Sequence, residues 1–247
     1  MGEHTIREIL KRRSPETQRA MQRRRDLAAG GSARQSWIPK AMVVLAVLVI
    51  LAGIGYLGYM THAAGQRFAA DKAGRSGPNV LTVSGTTEFL PNTLLAALDP
   101  TFYTSSGLNG TALTHRLLRL YYPQAPAIEI QVMAVALEAQ YSKTDIMEAV
   151  LNDVPMGGDA AHPVKGLAAA ASFYFGKPFA QLAPQDIALL VALISDPQGL
   201  DPRLYADKAR AARNAVLQAD LQQNVLAQAQ VDGLSKLPLN VVPQTKP

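Results

Sequence analysis

One uninterrupted apolar segment constrains this chain more than any other feature. Residues 41–60 read AMVVLAVLVILAGIGYLGYM, and Lys40 and Arg67 are the nearest Lys, Arg, Asp or Glu on either side. At 1.5 Å per residue, about 20 apolar residues in a helix cross the roughly 30 Å hydrocarbon core of a bilayer. The alternative, a cleavable signal peptide, has a shorter apolar region close to the N-terminus. The segment therefore predicts a permanent transmembrane helix over 38–62.

The distribution of charge predicts the orientation of that helix. Residues 1–40 hold ten lysines and arginines against four acidic residues, whereas the whole chain has a net charge of only +5. Because cytoplasmic flanks carry the excess of Lys and Arg, we expect a cytoplasmic N-terminus and a periplasmic C-terminal domain at the inner membrane. Basic charge beside a span is typical of topology signals and lipid attraction, so we expect no nucleic-acid binding.

Metal and disulfide chemistry are disfavoured by the cysteine and histidine content. The chain has no cysteine, which excludes disulfides and thiolate metal sites. The four histidines, His4, His62, His115 and His162, show no spacing typical of metal ligands. We therefore expect no metal and no cofactor.

The length allows one moderate domain in addition to the anchor. Residues 1–37 combine charge with Gly, Ser and Gln, which predicts a disordered basic tail. Residues 63–79 are expected to continue briefly as helix and then to form a polar stalk. A folded domain is expected over 80–235 and a flexible tail over 236–247.

Helical periodicity dominates the predicted domain, after a short β-type run at 81–86. The first helix is expected to end at Asp99, because Pro100 disfavours helix in the residue before it. Ser142 with Asp145 three residues later predicts a capping box. A loop is expected at 153–165, and the fold class is mainly α. Helices are predicted at 94–98, 111–120, 127–140, 143–152, 166–174, 184–195 and 203–230.

The most specific signal is a pair of runs, LEAQYSKTDIMEAVLN at 137–152 and GLAAAASFYFGKPFAQLAPQDIALLVALISDPQGLDP at 166–202. They resemble the peptidoglycan glycosyltransferase domain (glycosyltransferase family 51) of class A penicillin-binding proteins. The resemblance covers about 90–232 and implies a lysozyme-like helical domain that polymerises lipid II, with no transpeptidase domain. The matching residues are Tyr141, Ser142, Lys143, Glu148, Asn152, Phe175, Gly176, Lys177 and Pro178.

The first motif of the family departs from its pattern here. The family has a Glu-Asp pair before Phe-Tyr, and its glutamate takes a proton from the attacking sugar hydroxyl. Phe102 and Tyr103 fix the register, so the pair corresponds to Leu98 and Asp99. Leucine cannot accept a proton, and losing a general base typically costs 10²–10⁴ in rate.

The third motif departs as well. Its Arg-Lys pair and second glutamate correspond to Pro126, Ala127 and Ile130. The loss of cations that neutralise a departing diphosphate adds an electrostatic penalty. The resemblance therefore implies no catalytic residue at the family positions. Asp99 and Glu129, each one position away, remain fallback bases, although one step rotates a helical side chain by about 100°.

The second motif keeps only part of its polarity. The family's Gly-x-Ser-Thr and later Gln-Gln correspond to Gly110-Thr111-Ala112 and His115-Arg116. Only two residues separate Gly107 from Gly110, where the family inserts a longer membrane-facing stretch. The resemblance leaves five candidate ligand-binding residues: Thr111, His115, Arg116, Lys143 and Glu148.

The leading hypothesis is a membrane-anchored, catalytically inactive relative of the lipid II polymerase. It would act as a scaffold or regulator that binds an envelope protein through the inherited fold. One alternative is an active monofunctional glycosyltransferase that uses Asp99 or Glu129 as a displaced base. Another is a protein that binds lipid II or a glycan strand without turnover, with Arg116, Arg119 and Lys143 against phosphate.

Overall fold

The computed structural model describes residues 15–105, 110–158 and 162–243, with the side chains of 17 and 27–39 excepted. The start of the predicted tail and the end of the C-terminal tail lie outside these residues. The chain divides after Tyr56 into two compact units. The second unit, Leu57–Pro247, contains the domain.

Helix α1, Pro15–Gly74, contains the predicted span. Within it, Lys40–Gly74 is long and apolar enough to cross a membrane, with a mean hydropathy of 2.5. The helix includes residues 15–37, which the composition predicts to be disordered, and it reaches well into the predicted stalk. Once a helix has nucleated in the apolar segment, extension into the alanine-rich residues that follow it costs little, because propagation is favourable.

The domain is mainly α, as predicted. A 3₁₀ turn at Val83–Gly85 comes first. The helices are α2 (Phe89–Leu98), α3 (Ala112–Tyr121), α4 (Ala127–Gln140), α5 (Lys143–Asp153), α6 (Gly166–Phe175), α7 (Pro184–Leu193), α8 (Ala206–Gln222) and α9 (Gln228–Lys236). A second 3₁₀ turn, Phe179–Gln181, precedes α7.

Several helix boundaries confirm the local signals in the sequence. Helix α2 ends at Leu98, one residue before the Asp99-Pro100 break. The capping box at α5 is present, with the Asp145 N–H donating to Ser142 Oγ and the Ser142 N–H donating to Asp145 Oδ2. Helix α6 ends at Phe175, and the next residue, Gly176, has a φ of 63°, the left-handed conformation that glycine adopts most easily.

Three expectations about secondary structure are wrong. The β-type run at 81–86 contains a 3₁₀ turn instead of a strand. The loop expected at 153–165 contains an antiparallel hairpin of β1 (Pro155–Gly158) and β2 (Pro163–Lys165). The helix expected over 203–230 is two helices, because Asn224 adopts a φ of 59° and the Val225 N–H turns back to the Asp220 carbonyl.

The core of the domain surrounds helix α7, whose residues from Gln185 to Leu193 are all buried. The last turns of α1 also belong to this core, because Ala64 and Phe68 are fully buried. The Phe68 ring lies 4.4 Å from the Tyr141 ring, centroid to centroid, and the Tyr141 hydroxyl donates to the Gly65 carbonyl. The segment predicted to be a stalk is therefore largely part of the domain.

Candidate active site

Leu98 stands where the resemblance expects the first catalytic glutamate. Its half-buried side chain lines an apolar cavity of about 260 Å³ between α2, α7 and α8. Alanine, leucine and valine dominate the wall, and the described lining includes Ser195 but no acidic residue. A proton acceptor is therefore absent from the described part of this cavity.

Asp99, the first fallback base, is buried at the N-terminus of α3. Its Oδ2 accepts a hydrogen bond from the Leu113 N–H at 3.1 Å, and its Oδ1 accepts one from Thr101 Oγ1 at 3.2 Å. A carboxylate at a helix N-terminus satisfies free N–H groups and complements the helix dipole. These contacts give Asp99 the role of a helix cap.

Ile130 stands where the resemblance expects the second glutamate, and only 1% of its surface is exposed. Its side chain is part of the hydrophobic core instead of a cleft. Glu129, the second fallback base, is half-buried in the first turn of α4. One residue thus separates a core position from a position that is partly open to solvent.

A polar cluster of Thr111, Thr114, Glu138 and Lys143 lies where α3, α4 and α5 meet; we call it the Glu138 cluster. Glu138 Oε1 accepts hydrogen bonds from the Thr111 N–H at 2.8 Å, from Thr111 Oγ1 at 2.7 Å and from Thr114 Oγ1 at 2.5 Å. Glu138 Oε2 pairs with Lys143 Nζ at 2.7 Å. Two of the five candidate ligand-binding residues, Thr111 and Lys143, therefore contact the same carboxylate.

Opposing effects act on the pKa of the Glu138 carboxyl. Burial raises this pKa, but hydrogen bonds from Lys143, Thr114 and Thr111 outweigh burial and hold the pKa below its ordinary value. Glu138 is therefore an anion at neutral pH. Together with Asp99 it places two carboxylates at the N-terminus of α3, where a diphosphate would otherwise find free N–H groups.

Arg116 and His115 lie on α3 with different surroundings. Arg116 donates from Nη1 to the Ile194 carbonyl at 2.9 Å, and burial lowers the pKa of its guanidinium. His115 Nε2 is buried and has no hydrogen-bond partner within the part of the chain that the structure describes. Arg116 thus joins α3 to the end of α7, beside the Leu98 cavity.

Glu148 and Asn152, which match the family, hold the segment before α2. Glu148 Oε1 accepts a hydrogen bond from the Val83 N–H at 3.1 Å. The Asn152 amide makes two hydrogen bonds with the backbone of Leu81, at 2.8 and 2.9 Å. With Tyr141 bound to Gly65, these residues connect α4 and α5 to the chain that arrives from the membrane.

Sequence reasoning missed Glu138 and Asp153. Asp153 pairs with Arg75 at 2.6 Å and accepts a hydrogen bond from the Tyr121 hydroxyl at 2.9 Å. Glu138 and Lys143 are five residues apart across a helix break, so helical spacing rules do not predict their contact. Neither residue had a sequence signal beyond being acidic in a polar stretch.

Comparison with known proteins gives one family match, to the transglycosylase family over residues 127–220. Penicillin-binding protein 1B of Vibrio cholerae is 34% identical over 109 residues, which cover 44% of this chain and 14% of that protein. Penicillin-binding protein 1B of Escherichia coli is 29% identical over 189 residues, which cover 65% of this chain and 22% of that protein. The chain spans less than a quarter of the length of these two relatives.

A solved structure, penicillin-binding protein 1A from Haemophilus influenzae, matches with a TM-score of 0.45 and 20% sequence identity. The match covers 66% of this chain and 18% of that structure.

Proposed function

Since this chain carries a peptidoglycan glycosyltransferase domain of the kind found in class A penicillin-binding proteins, we propose that it takes part in cell-wall synthesis as a catalytically inactive protein. It would act at the inner membrane as a scaffold or regulator of peptidoglycan assembly. The domain would be periplasmic, with the basic tail in the cytoplasm. Its partner would be an envelope protein, recognised by the surface of the inherited fold.

The surroundings of Leu98 and Ile130 carry this proposal. Leu98 borders an apolar cavity, and Ile130 is 1% exposed in the core. Transfer of a sugar to a hydroxyl needs a group that accepts the hydroxyl proton, within hydrogen-bond reach of it. A leucine and a buried isoleucine cannot serve, and an ionised carboxylate at either place would need partners that the apolar neighbours do not provide.

The active alternative needs Asp99 or Glu129 to replace the missing base. The carboxylate of Asp99 accepts hydrogen bonds from the Leu113 N–H and the Thr101 hydroxyl, which makes it a helix cap. Using it as a base would require the start of α3 to rearrange. Glu129 is half-buried and is the better fallback by exposure. The active alternative therefore makes its sharpest prediction at Glu129.

The binding alternative needs cations that are available to phosphate. Lys143 already pairs with Glu138, and Arg116 donates to the Ile194 carbonyl. Of the three cations in this hypothesis, Arg119 is the exposed one. A single exposed arginine supports weak, salt-sensitive attraction to anions better than a specific diphosphate site.

The proposal is tested by lipid II turnover together with affinity capture, both on the full chain in lipid nanodiscs. Escherichia coli penicillin-binding protein 1B serves as the active control. We expect no glycan strands above background, and we expect specific enrichment of an envelope protein relative to an unrelated single-span protein. Glycan synthesis at a rate approaching that of the control would overturn the proposal.

Lipid II binding is measured in the same nanodiscs at increasing salt. Binding that weakens with salt and is reduced by Arg119→Ala, which removes the exposed arginine, would favour the binding alternative over a scaffold. Binding that is absent at every salt concentration would support the scaffold. Arg210→Ala, at an exposed arginine of α8, is the matched control for loss of a positive charge.

A further inference from the structure

Two cavities interrupt the packing of helix α2 against helix α8. The Leu98 cavity, of about 260 Å³, lies between Leu98 of α2 and Ala219 of α8. A second cavity, of about 270 Å³, lies between Asn92 of α2 and the residues 223–225 that follow α8. We call it the Asn92 cavity. Both cavities therefore share the same pair of helices as walls.

One buried hydrogen bond joins the two helices between these cavities. Thr93 Oγ1 of α2 donates to Asp220 Oδ2 of α8 at 3.1 Å, and the exposed fraction of both residues is 0%. Asp220 follows Ala219, which lines the Leu98 cavity, and precedes by three residues Gln223, which lines the Asn92 cavity. Since one helical turn contains 3.6 residues, the Asp220 carboxylate lies within one turn of both cavities.

The second oxygen of this carboxylate has no polar contact. Asp220 Oδ1 is buried and has no hydrogen-bond partner within the residues that the structure describes. Burial raises the pKa of Asp220 to about 6, although the hydrogen bond from Thr93 opposes the shift. A buried carboxylate with one hydroxyl donor is costly when it is ionised. The closed arrangement of α2 and α8 therefore favours the protonated carboxyl.

No charged side chain in the described part of the chain forms an ion pair with Asp220. Helix α2 contains no charged residue. The charged side chains of the elements packed against α2 and α8, and of α8 itself, are Asp186 of α7, Asp207, Lys208, Arg210 and Arg213 of α8, and Asp232 and Lys236 of α9. Arg213 donates to the carbonyls of Ser235 and Leu237, and Asp186 accepts from the Ala183 N–H. The others are exposed.

The two cavities give water a short path to this carboxylate. Each has room for several water molecules, at about 30 Å³ per molecule in the liquid. The Asn92 cavity also presents the side-chain amides of Asn92, Gln223 and Asn224, which can hydrogen-bond to water. Since no cation is available, hydration is the means by which an ionised Asp220 is stabilised, and hydration requires space between α2 and α8.

We propose that the Thr93–Asp220 pair is a proton-operated latch that holds α2 against α8 and, when it opens, widens the Leu98 cavity. The protonated pair keeps the two helices together. When Asp220 releases its proton to solvent, water enters from the Asn92 cavity and α2 moves away from α8. The latch does not depend on whether the domain is catalytic, because neither of its residues stands at an acidic position of the family.

Hydrogen exchange of the full chain in lipid nanodiscs at pH 5 and pH 7.5 tests the latch, with each rate corrected for the intrinsic pH dependence of amide exchange. The closed form holds the Asp220 proton up to about pH 6, whereas a hydrated Asp220 releases it near its ordinary pKa of about 4. The corrected exchange of α2 amides should therefore be about tenfold faster at pH 7.5 than at pH 5. The amides of α5, which lines neither cavity, report opening of the whole domain.

Three variants assign the effect to the latch. Asp220→Asn should remove the pH dependence of exchange in α2, whereas Asp207→Asn, at an exposed acid of the same helix, should keep it. Thr93→Val removes the hydrogen bond that lowers the pKa of Asp220, so the midpoint of the change should move to higher pH.

Four results would overturn the proposal. The first is corrected exchange in α2 that does not change with pH, and the second is an equal change in α5, which would indicate opening of the whole domain. The third is a pH dependence that persists in Asp220→Asn, which would show that another group titrates. The fourth is a midpoint that does not move in Thr93→Val, which would show that Thr93 is not part of the latch.

Discussion

The two halves of the domain differ in which features of the family they retain. In the second half, Tyr141, Lys143, Glu148 and Asn152 carry the resemblance to the family, and each makes a hydrogen bond or ion pair that holds neighbouring segments together. In the first half, Leu98 and Ile130, which the resemblance assigns to the positions of the two acids, lie in apolar surroundings. Polar residues that maintain a fold can therefore persist where those that carry its chemistry do not.

The largest effect on stability is expected at Glu138, the central residue of the Glu138 cluster. Glu138→Ala leaves Lys143, Thr111 and Thr114 without their acceptor, so we expect it to lower the free energy of unfolding by about 2–4 kcal/mol. Chemical denaturation of the full chain in detergent measures this. Asp207→Ala, at an exposed acid of α8, is the control and should have no measurable effect. Equal stability of both variants would show that the Glu138 cluster does not hold the fold.

The next largest effect is a change of stability with pH at Asp220 of α8, which accepts a hydrogen bond from Thr93 of α2. Burial raises the pKa of Asp220 to about 6, although the hydrogen bond from Thr93 opposes the shift. The unfolded chain releases this proton near its ordinary pKa of about 4, whereas the folded chain holds it up to about 6. Stability attributable to Asp220 is thus highest below pH 4 and is lost as pH rises from about 4 to about 6.

Asp220→Asn removes this titration. At pH 7.5 we expect the variant to be more stable than the unmodified chain by about 2 kcal/mol, and the advantage to disappear near pH 4. Urea denaturation across this pH range measures the difference between the two proteins. Taking that difference removes the contribution of Asp186, whose pKa is also raised by burial. An advantage that does not change with pH would show that Asp220 is ionised in the folded state.

A smaller effect is expected at Asp99, in the first half of the domain. Asp99→Ala removes the acceptor of the Leu113 N–H at the start of α3, beside the N-cap residue Thr111, and should cost about 1–2 kcal/mol of stability. Asp99→Asn keeps a side-chain acceptor for the Leu113 N–H and should cost less. Thermal unfolding of both variants measures this. If Asp99→Ala leaves stability unchanged, the cap is not the role of this carboxylate, and Asp99 becomes available to the active alternative.

The smallest effect is expected at Glu148. Glu148→Gln keeps an acceptor for the Val83 N–H and should leave stability almost unchanged, whereas Glu148→Ala should cost about 1 kcal/mol. Hydrogen exchange at the Val83 amide reports the contact directly. Faster exchange in the alanine variant alone is the expected result. Equal exchange in both variants would mean that the contact to Val83 does not explain why Glu148 matches the family.

Local signals predicted the parts of the fold that are decided locally. The bounds of α4, the capping box at Ser142 and the helix stop at Gly176 follow from periodicity, side-chain capping and the conformation of glycine. The end of α1 was misjudged, because Ala64 and Phe68 lie in a stretch of small and polar residues. Their burial depends on α3, α4 and α5, which adjacent sequence does not encode.

The sequence likewise predicts only some features of the candidate site. The family register, counted from Phe102 and Tyr141, predicts that Leu98 and Ile130 replace the two acids, and the structure places Ile130 in the core. The family register does not predict that Glu138 pairs with Lys143, since that contact crosses the break between α4 and α5. Contacts across breaks depend on the angle between helices, and the spacing of residues along one helix does not determine that angle.

We propose that, among the described residues, no side chain near Leu98 or Ile130 accepts the proton of a sugar hydroxyl. Quantifying glycan strands made from lipid II by the full chain in nanodiscs, beside its Asp99→Asn and Glu129→Gln variants, tests it most directly. We predict that all three proteins make no more product than empty nanodiscs. Product from the unmodified chain that is lost in either variant would show that the domain is catalytic and would identify its base.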